Sequence, residues 1–303
     1  MRPSDAARLL LLAAIWGSSF LLIKLGLEGF TPIQVVEGRI VVAALVLLAL
    51  LLTRGVRLPA GVWPSLVLMA VVANIIPFLL ITWGEEHISS SLAAILNSTT
   101  PLFTALLANV FLHTEKLTPL RAIGILVGFA GVGVIVGGGE QGSLGGQLAV
   151  ILASASYGVG FVYARRHLVG RAGTPLRLSA GQLSVAAIIF LPVAAVDAGV
   201  TPPDFGAKAT LSVLALGAVG TGLAYLLYYR LIEDVGATSA SFVTYLIPIF
   251  GAVLGWAILD ERIGWNVVAG AALVLGGIAL AEHGVRRRRA GDLETAEAPH
   301  AGP

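Results

Sequence analysis

The chain of 303 residues has no cysteine, two methionines and five histidines. Without cysteine there is no disulfide framework, no thiol nucleophile and no thiolate metal site. The histidines (His87, His113, His167, His283 and His300) fall in loops, at helix ends or in the tail, and no DxxxD or HxxxD pattern occurs. Those absences argue against the metal-diphosphate carboxylates of a prenyltransferase and the His–acid pair of an acyltransferase. The sequence therefore reads as a non-enzyme with no metal and no cofactor. Charge is scarce too. Only 12% of residues are Asp, Glu, Lys or Arg, where a soluble domain carries about 25%.

Hydrocarbon fills the chain instead. Hydrophobic residues make up 57% and the mean hydropathy is +0.91. Apolar windows of about 20 residues, the length that crosses a bilayer as a helix, recur down the sequence. Ten spans are predicted, at about 8–27, 33–53, 64–84, 90–112, 118–138, 145–165, 175–196, 208–231, 237–259 and 265–284. Turn residues fill the short links, as at Gly29 to Pro32, Gly137 to Gly146 and Thr201 to Asp204. The stretch from Arg286 to Pro303 is charged and poor in hydrophobics, and is expected to be disordered. Arg2 and Arg8 ahead of a short apolar core imitate a signal peptide, but this segment has a counterpart later in the chain.

An even number of spans puts both termini on one side. If that side is the cytoplasm, 15 of the 19 Lys and Arg residues fall at inner ends and loops, leaving Lys24, Arg39, Lys208 and Arg262 outside. Such a bias is what the positive-inside rule demands. The net charge of +2 hides this asymmetry, and the expected partners are the lipid bilayer and a small molecule, with no nucleic acid.

The sequence also repeats itself. WGSSF at Trp16–Phe20 answers YGVGF at Tyr157–Phe161, and Thr31-Pro32 answers Thr174-Pro175. SLAAILNSTTPLFTALLANVFLHTEKL answers TSASFVTYLIPIFGAVLGWAILDERI, matching Pro101 with Pro248 and Glu115 with Glu261; Gly124 and Gly131 then match Gly270 and Gly277. Each unit holds five helices, so the second copy enters the membrane from the opposite face. The expected architecture is all-α: ten transmembrane helices as two inverted five-helix repeats, residues 1–142 and 143–285, around a central cavity, with 286–303 a cytoplasmic tail. Pro101 and Pro248 are predicted to break helices 4 and 9 at matching depth, a mark of a carrier's midplane binding site. Kinking for packing alone is the plainer account of either proline.

WGSSFLLIKLGLEGFTP, SSLAAILNSTTPLFTALLANVFLHTEKLTPLRAIGILVGFAGVGVIV and GATSASFVTYLIPIFGAVLGWAILDERI resemble the drug/metabolite transporter superfamily, in its ten-helix EamA-domain branch, over about residues 8–284. The resemblance implies a carrier in the inner membrane of a bacterium, with its cavity built mainly from helices 1, 3, 4, 6, 8 and 9. Members of the superfamily export amino acids or carry nucleotide sugars, sugar phosphates or lipid-linked sugars.

The polar and aromatic residues near helix centres are the candidate cavity lining. They are Trp16 and Ser19 in helix 1, Asn74 in helix 3, and Asn97 and Thr100 in helix 4. The second half supplies Tyr157 and Tyr163 in helix 6, Thr221 and Tyr225 in helix 8, and Thr244 and Tyr245 in helix 9. No Lys or Arg falls in the central turns of a span, which speaks against phosphorylated and nucleotide substrates. A neutral, partly apolar lining suits a zwitterion such as an amino acid, or an uncharged metabolite. A flippase for a lipid-linked metabolite is the alternative within the same superfamily. Lys24, Glu37 and Arg39, near the outer ends of helices 1 and 2, are the candidate gate, with Glu37 the candidate carboxylate for a coupling proton. For Lys24 the plainer account is a salt bridge to Glu28 or snorkelling. Glu85, Glu86 and His87 read as a solvated rim, Glu115 and Glu261 as caps of helices 5 and 10. The glycines of helices 5 and 10 read as packing supports. A monomer suffices for this reading.

Overall fold

The computed structural model describes residues 3–55, 61–111, 118–138, 142–168, 174–235 and 243–297, and among them all regular structure is helical. Helix starts follow from local chemistry. Thr31 and Gln34 form a reciprocal capping box (both contacts 3.2 Å) with Pro32 in the first turn, which opens α1's neighbour α2, Pro32–Thr53. The Thr118 hydroxyl caps α5, Pro119–Gly137, by accepting from the Arg121 amide alone. Ser89 caps α4a, Ser90–Asn97, and Ser143 caps α6, Leu144–His167. α1 is Pro3–Gly26 and α7 is Pro175–Val200.

Two helices are irregular at their centres. In α3, Trp63–His87, a π turn occupies Val71–Ile75. In α8 a π turn, Ala218–Leu223, separates Ala207–Gly217 from Ala224–Val235. α4b is Thr100–Phe111, α9 is Val243–Leu259 and α10 is Trp265–Glu297. Among the described residues eight helices are long and apolar enough to cross a membrane; Val243–Leu259 and Trp265–Ala281 are shorter apolar helices.

The packing pairs α1 with α9 and α8, α6 with α4b and α3, α2 with α7, and α5 with α10. Glycine permits the close crossings. A Cβ on Gly17 would lie 2.5 Å from Phe250 Cβ on α9, and one on Gly158 would lie 3.1 Å from Phe103 Cβ on α4b. Gly124 faces Gly277, and Gly131 faces Gly270, with hypothetical Cβ atoms 2.5–2.7 Å from the opposing carbonyl oxygens. α5 and α10 therefore run antiparallel, backbone against backbone. Large apolar side chains such as Leu52, Ile188, Val196 and Trp265 are exposed on the outside of the bundle, where lipid solvates them.

Two expectations meet the structure here. The last helix runs to Glu297, into the segment from residue 286 for which the sequence predicts a disordered tail. Ala, Leu, Arg and Glu are good helix formers, and a segment that extends an existing helix needs no new nucleus. Pro248 lies inside the continuous helix α9 and breaks nothing among the described residues. A proline removes one hydrogen bond, and the packed crossing of α9 with α1 beside it holds the rod together.

Candidate functional site

The break predicted in helix 4 is present, but it falls just before Pro101. Ser98 and Thr99 form the turn between α4a and α4b. Pro101 has no N–H for the carbonyl of Asn97, and hydroxyls stand in for it. Thr100 Oγ1 donates to that oxygen at 2.8 Å, and Ser154 Oγ on α6 approaches it at 3.4 Å. Ser98 and Thr99 hydroxyls donate to Ile95 and Leu96 carbonyls at 2.6 and 2.7 Å. Asn97 Oδ1 is buried without a partner among the described residues.

The π turns were not foreseen. In α3, Ile76 N–H bonds to Val71 O, five residues back, ahead of Pro77, which cannot donate. Ser156 Oγ on α6 donates to Val72 O at 2.7 Å, so a neighbouring helix satisfies a carbonyl of the widened turn. In α8, Ala224 N–H bonds to Val219 O, and Thr221 Oγ1 donates to Leu216 O at 3.1 Å. Gly217, Gly220 and Gly222 sit in this stretch; Cβ atoms on Gly217 and Gly222 would press on Val42 and Val46 of α2 at 2.6 and 3.0 Å.

Arg39 joins the two π-turn helices. Its Nε–H donates to Thr221 Oγ1 at 2.8 Å, and its guanidinium lies 3.8 Å from the centre of the Phe78 ring on α3. Tyr157 and Tyr225 share its electrostatic surroundings, and Tyr157 meets Phe78 edge-on at 6.5 Å. Asn74, in the π turn of α3 beside Tyr225, is fully buried, with neither amide atom hydrogen-bonded in ordinary geometry. Asn74, Tyr157, Thr221, Tyr225 and Arg39 are thus brought together. Arg39 is 8% exposed and its head reaches the middle of α8, so its charge lies at the central turns of another helix although its own position is near the start of α2. Phe78 was missed because nothing distinguishes one phenylalanine of an apolar helix until its neighbour is known.

Other predicted residues lie elsewhere. Trp16 packs on Tyr228 at 5.2 Å. Ser19 is buried against Gly220, its hydroxyl bonded to Ile15 O at 3.1 Å. Tyr163 Oη contacts Ser65 Oγ at 3.0 Å and its ring stacks on His167, away from Arg39. Thr244 and Tyr245 are half-buried on α9, and Tyr245 packs against the core that contains Leu92 and Ile95. Glu37 is buried in α2, both carboxylate oxygens without a partner among the described residues.

At the C-terminal end of α1 the charged residues close the bundle. The Lys24 ammonium donates to the carbonyls of Glu85 and, at 3.0 Å, Ile88, where α3 ends. Its expected partner Glu28 pairs with Lys208 instead, at 2.6 Å. Glu85 is no rim residue: it is fully buried, its carboxylate unpartnered among the described residues and set among the charges of Lys24, Glu261 and Arg39. Glu86 and His87 are exposed as expected. Glu261 does not cap the helix that follows it. Its carboxylate accepts from the Ser90 and Ser91 amides at 2.7 and 2.8 Å and from Ser91 Oγ at 2.5 Å, capping α4a. Asp260, at φ 52°, makes the turn that aims it there. A cavity of about 590 Å³ opens at this end, lined by Lys24, Glu28, Glu86, His87, Glu261 and Arg262 among others. Glu115, the matching residue of the first half, lies outside the described residues.

Long apolar helices, a lipid-compatible exterior and buried polar groups define an integral membrane protein of the helical type. Its relatives place it more closely. The EamA-like transporter family matches the chain twice, over residues 6–137 and 144–282, and the chain belongs to that family. It is 30% identical over 263 residues to the inner membrane transporter YedA of Escherichia coli K12, covering 82% of this chain and 81% of that one. It is 27% identical over 303 residues to a "Probable terminal-alkyne amino-acid exporter" of Streptantibioticus cattleyicolor, covering 99% of each. The transporter YoaV of Bacillus subtilis is 23% identical over 284 residues, covering 91% and 95%. A solved crystal structure matches with a TM-score of 0.65 at 21% identity, over 94% of this chain and 100% of that one, a likeness of fold alone. The protein is a transporter and not an enzyme.

Proposed function

We propose that the protein is a secondary transporter that exports a small metabolite, an amino acid in the first instance, across the bacterial inner membrane by alternating access. Its halves are residues 1–142 and 143–285, each five helices, inverted relative to one another, with both termini in the cytoplasm. One observation carries the reading most: a π turn interrupts α3 at Val71–Ile75 and α8 at Ala218–Leu223, and aligning the halves on Pro101 and Pro248 superposes Asn74 on Thr221. Interrupted helices at corresponding positions are expected where a carrier holds its substrate. The crossings support the same symmetry, since Gly17 meets Phe250 as Gly158 meets Phe103, and Gly124 meets Gly277 as Gly131 meets Gly270.

In this reading the structure is closed at the Lys24 end, the periplasmic side, by Glu261 on α4a and Lys24 on α3. Release of those contacts lets the halves rock and the substrate leave. The 27% identical amino-acid exporter favours an amino acid over a lipid-linked metabolite, as does the polar, aromatic surrounding of Arg39. Glu37, buried and unpartnered, is the group offered for a coupling proton. Counterflow in proteoliposomes, with a panel of labelled amino acids and with or without a pH gradient, tests the proposal. Accelerated uptake of at least one labelled compound into preloaded vesicles is expected; none above protein-free vesicles sinks it.

A further inference from the structure

Arg39 is a permanent cation in a membrane interior, and the described residues give it no counter-ion. Among the described residues no ion pair to an Asp or Glu is formed by it; Glu85 shares its field without pairing. A buried charge left unpaired costs several kcal/mol, so a position this enclosed calls for a compensating group beyond those the described residues supply.

The guanidinium is also held as if for a ligand. Thr221 Oγ1 gives its proton to Leu216 O and so turns a lone pair to Arg39 Nε–H. Phe78 supports one face of the plane. Neither contact uses the outer edge, the pair of terminal nitrogens. That edge is the fork that matches a carboxylate with two parallel N–H···O bonds. Asn74 adds a fully buried amide beside the same Tyr225 that neighbours Arg39.

We propose that Arg39 anchors a carboxylate of the transported molecule, with Thr221 and Phe78 as the residues that orient it. Substrates are then small molecules with one carboxylate, and their amides, esters and decarboxylated amines are rejected. The inference rests on the transporter reading only for its word "transported"; the binding claim stands on Arg39 itself. A single cation with this fork suits one carboxylate, and among the described residues no second cation stands beside it for a phosphate dianion.

The test is binding to the purified full-length protein, read by ligand-dependent thermal stabilisation. Each neutral amino acid of a panel is paired with its own amide; phenylalanine, phenylalaninamide and phenethylamine form one set. At least one acid is expected to bind wild type tenfold or more tightly than its amide. Arg39→Gln should bring the two within about twofold, and Arg39→Lys should keep an intermediate preference. The wild-type comparison stands even if Arg39→Gln does not fold. Equal binding of acid and amide overturns the inference, as does an unchanged ratio in a folded Arg39→Gln protein or no acid of the panel binding. Acid-selective binding without counterflow would instead sink the transporter reading and leave Arg39 as the anchor.

Discussion

Glu261, just beyond the end of α9, binds Ser91 in the first turn of α4a through both its backbone N–H (2.8 Å) and its hydroxyl (2.5 Å). One carboxylate thus ties the end of one helix to the start of another 170 residues earlier in sequence, and it does so where a helix N-terminus favours negative charge.

Glu261→Ala should destabilise the protein by about 3 kcal/mol, because several charge-assisted hydrogen bonds disappear and two amides are left bare. Glu261→Gln keeps an acceptor and should lose about half as much. Melting of the detergent-solubilised protein checks both. The chain has no cysteine, so a single cysteine at exposed Glu86 reports opening of this end by its maleimide labelling rate. Labelling should rise in Glu261→Ala; an unchanged rate would mean that the contact closes nothing.

Thr221→Val removes the acceptor of Arg39 Nε–H while preserving shape. Leaving that buried donor unsatisfied should cost about 1–3 kcal/mol, and Thr221→Ser should recover most of it. Thermal melting of the three proteins decides. Equal melting temperatures for Val and Thr would show that the 2.8 Å contact contributes nothing.

Pro101→Ala supplies an N–H that competes with Thr100 and Ser154 for Asn97 O. The turn at Ser98 and Thr99 should tighten toward continuous helix, with transport reduced and protein yield preserved. Normal transport with poor yield would identify the proline as a packing feature.

Gly131→Val puts a side chain where a Cβ alone sits 2.6 Å from Gly270 O. Overpacking of this kind costs about 1–3 kcal/mol or more, and the variant should be produced poorly. Gly133→Ala, on the same helix with nothing within 4 Å of its Cβ, should be neutral in yield and melting.

The helix starts were legible because their cause is local: a Thr followed by Pro stands at the start of a helix at Thr31, Thr118 and Thr174, and the hydroxyl caps the first turn at the first two. The weak point of helix 4 was legible for the same reason, although the hydroxyls before Pro101 fix where the turn falls. The π turns were not. Each is a one-residue change of hydrogen-bond register, and Asn74 next to Ile75-Ile76-Pro77, or glycines around Thr221, fit an ordinary helix equally well. The depth of the Arg39 charge was not legible, because sequence position gives the depth of a Cα, while a long side chain carries its charge elsewhere. Glu261 was assigned to the helix it precedes, since its real partner lies in the other half of the sequence. Lys24 was paired with Glu28 by helical spacing, yet α1 ends in a turn after Gly26 and Glu28 faces Lys208.

The glycine seam between α5 and α10 has a mechanical consequence. At Gly124–Gly277 and Gly131–Gly270 the backbones approach so closely that an added Cβ would meet the opposing carbonyl oxygen, so few side-chain rotamers stand between the two helices to absorb a slide or a tilt. In the proposed alternating access this pair is the stiff element, and the displacement of the other helices is expected to grow with distance from that seam.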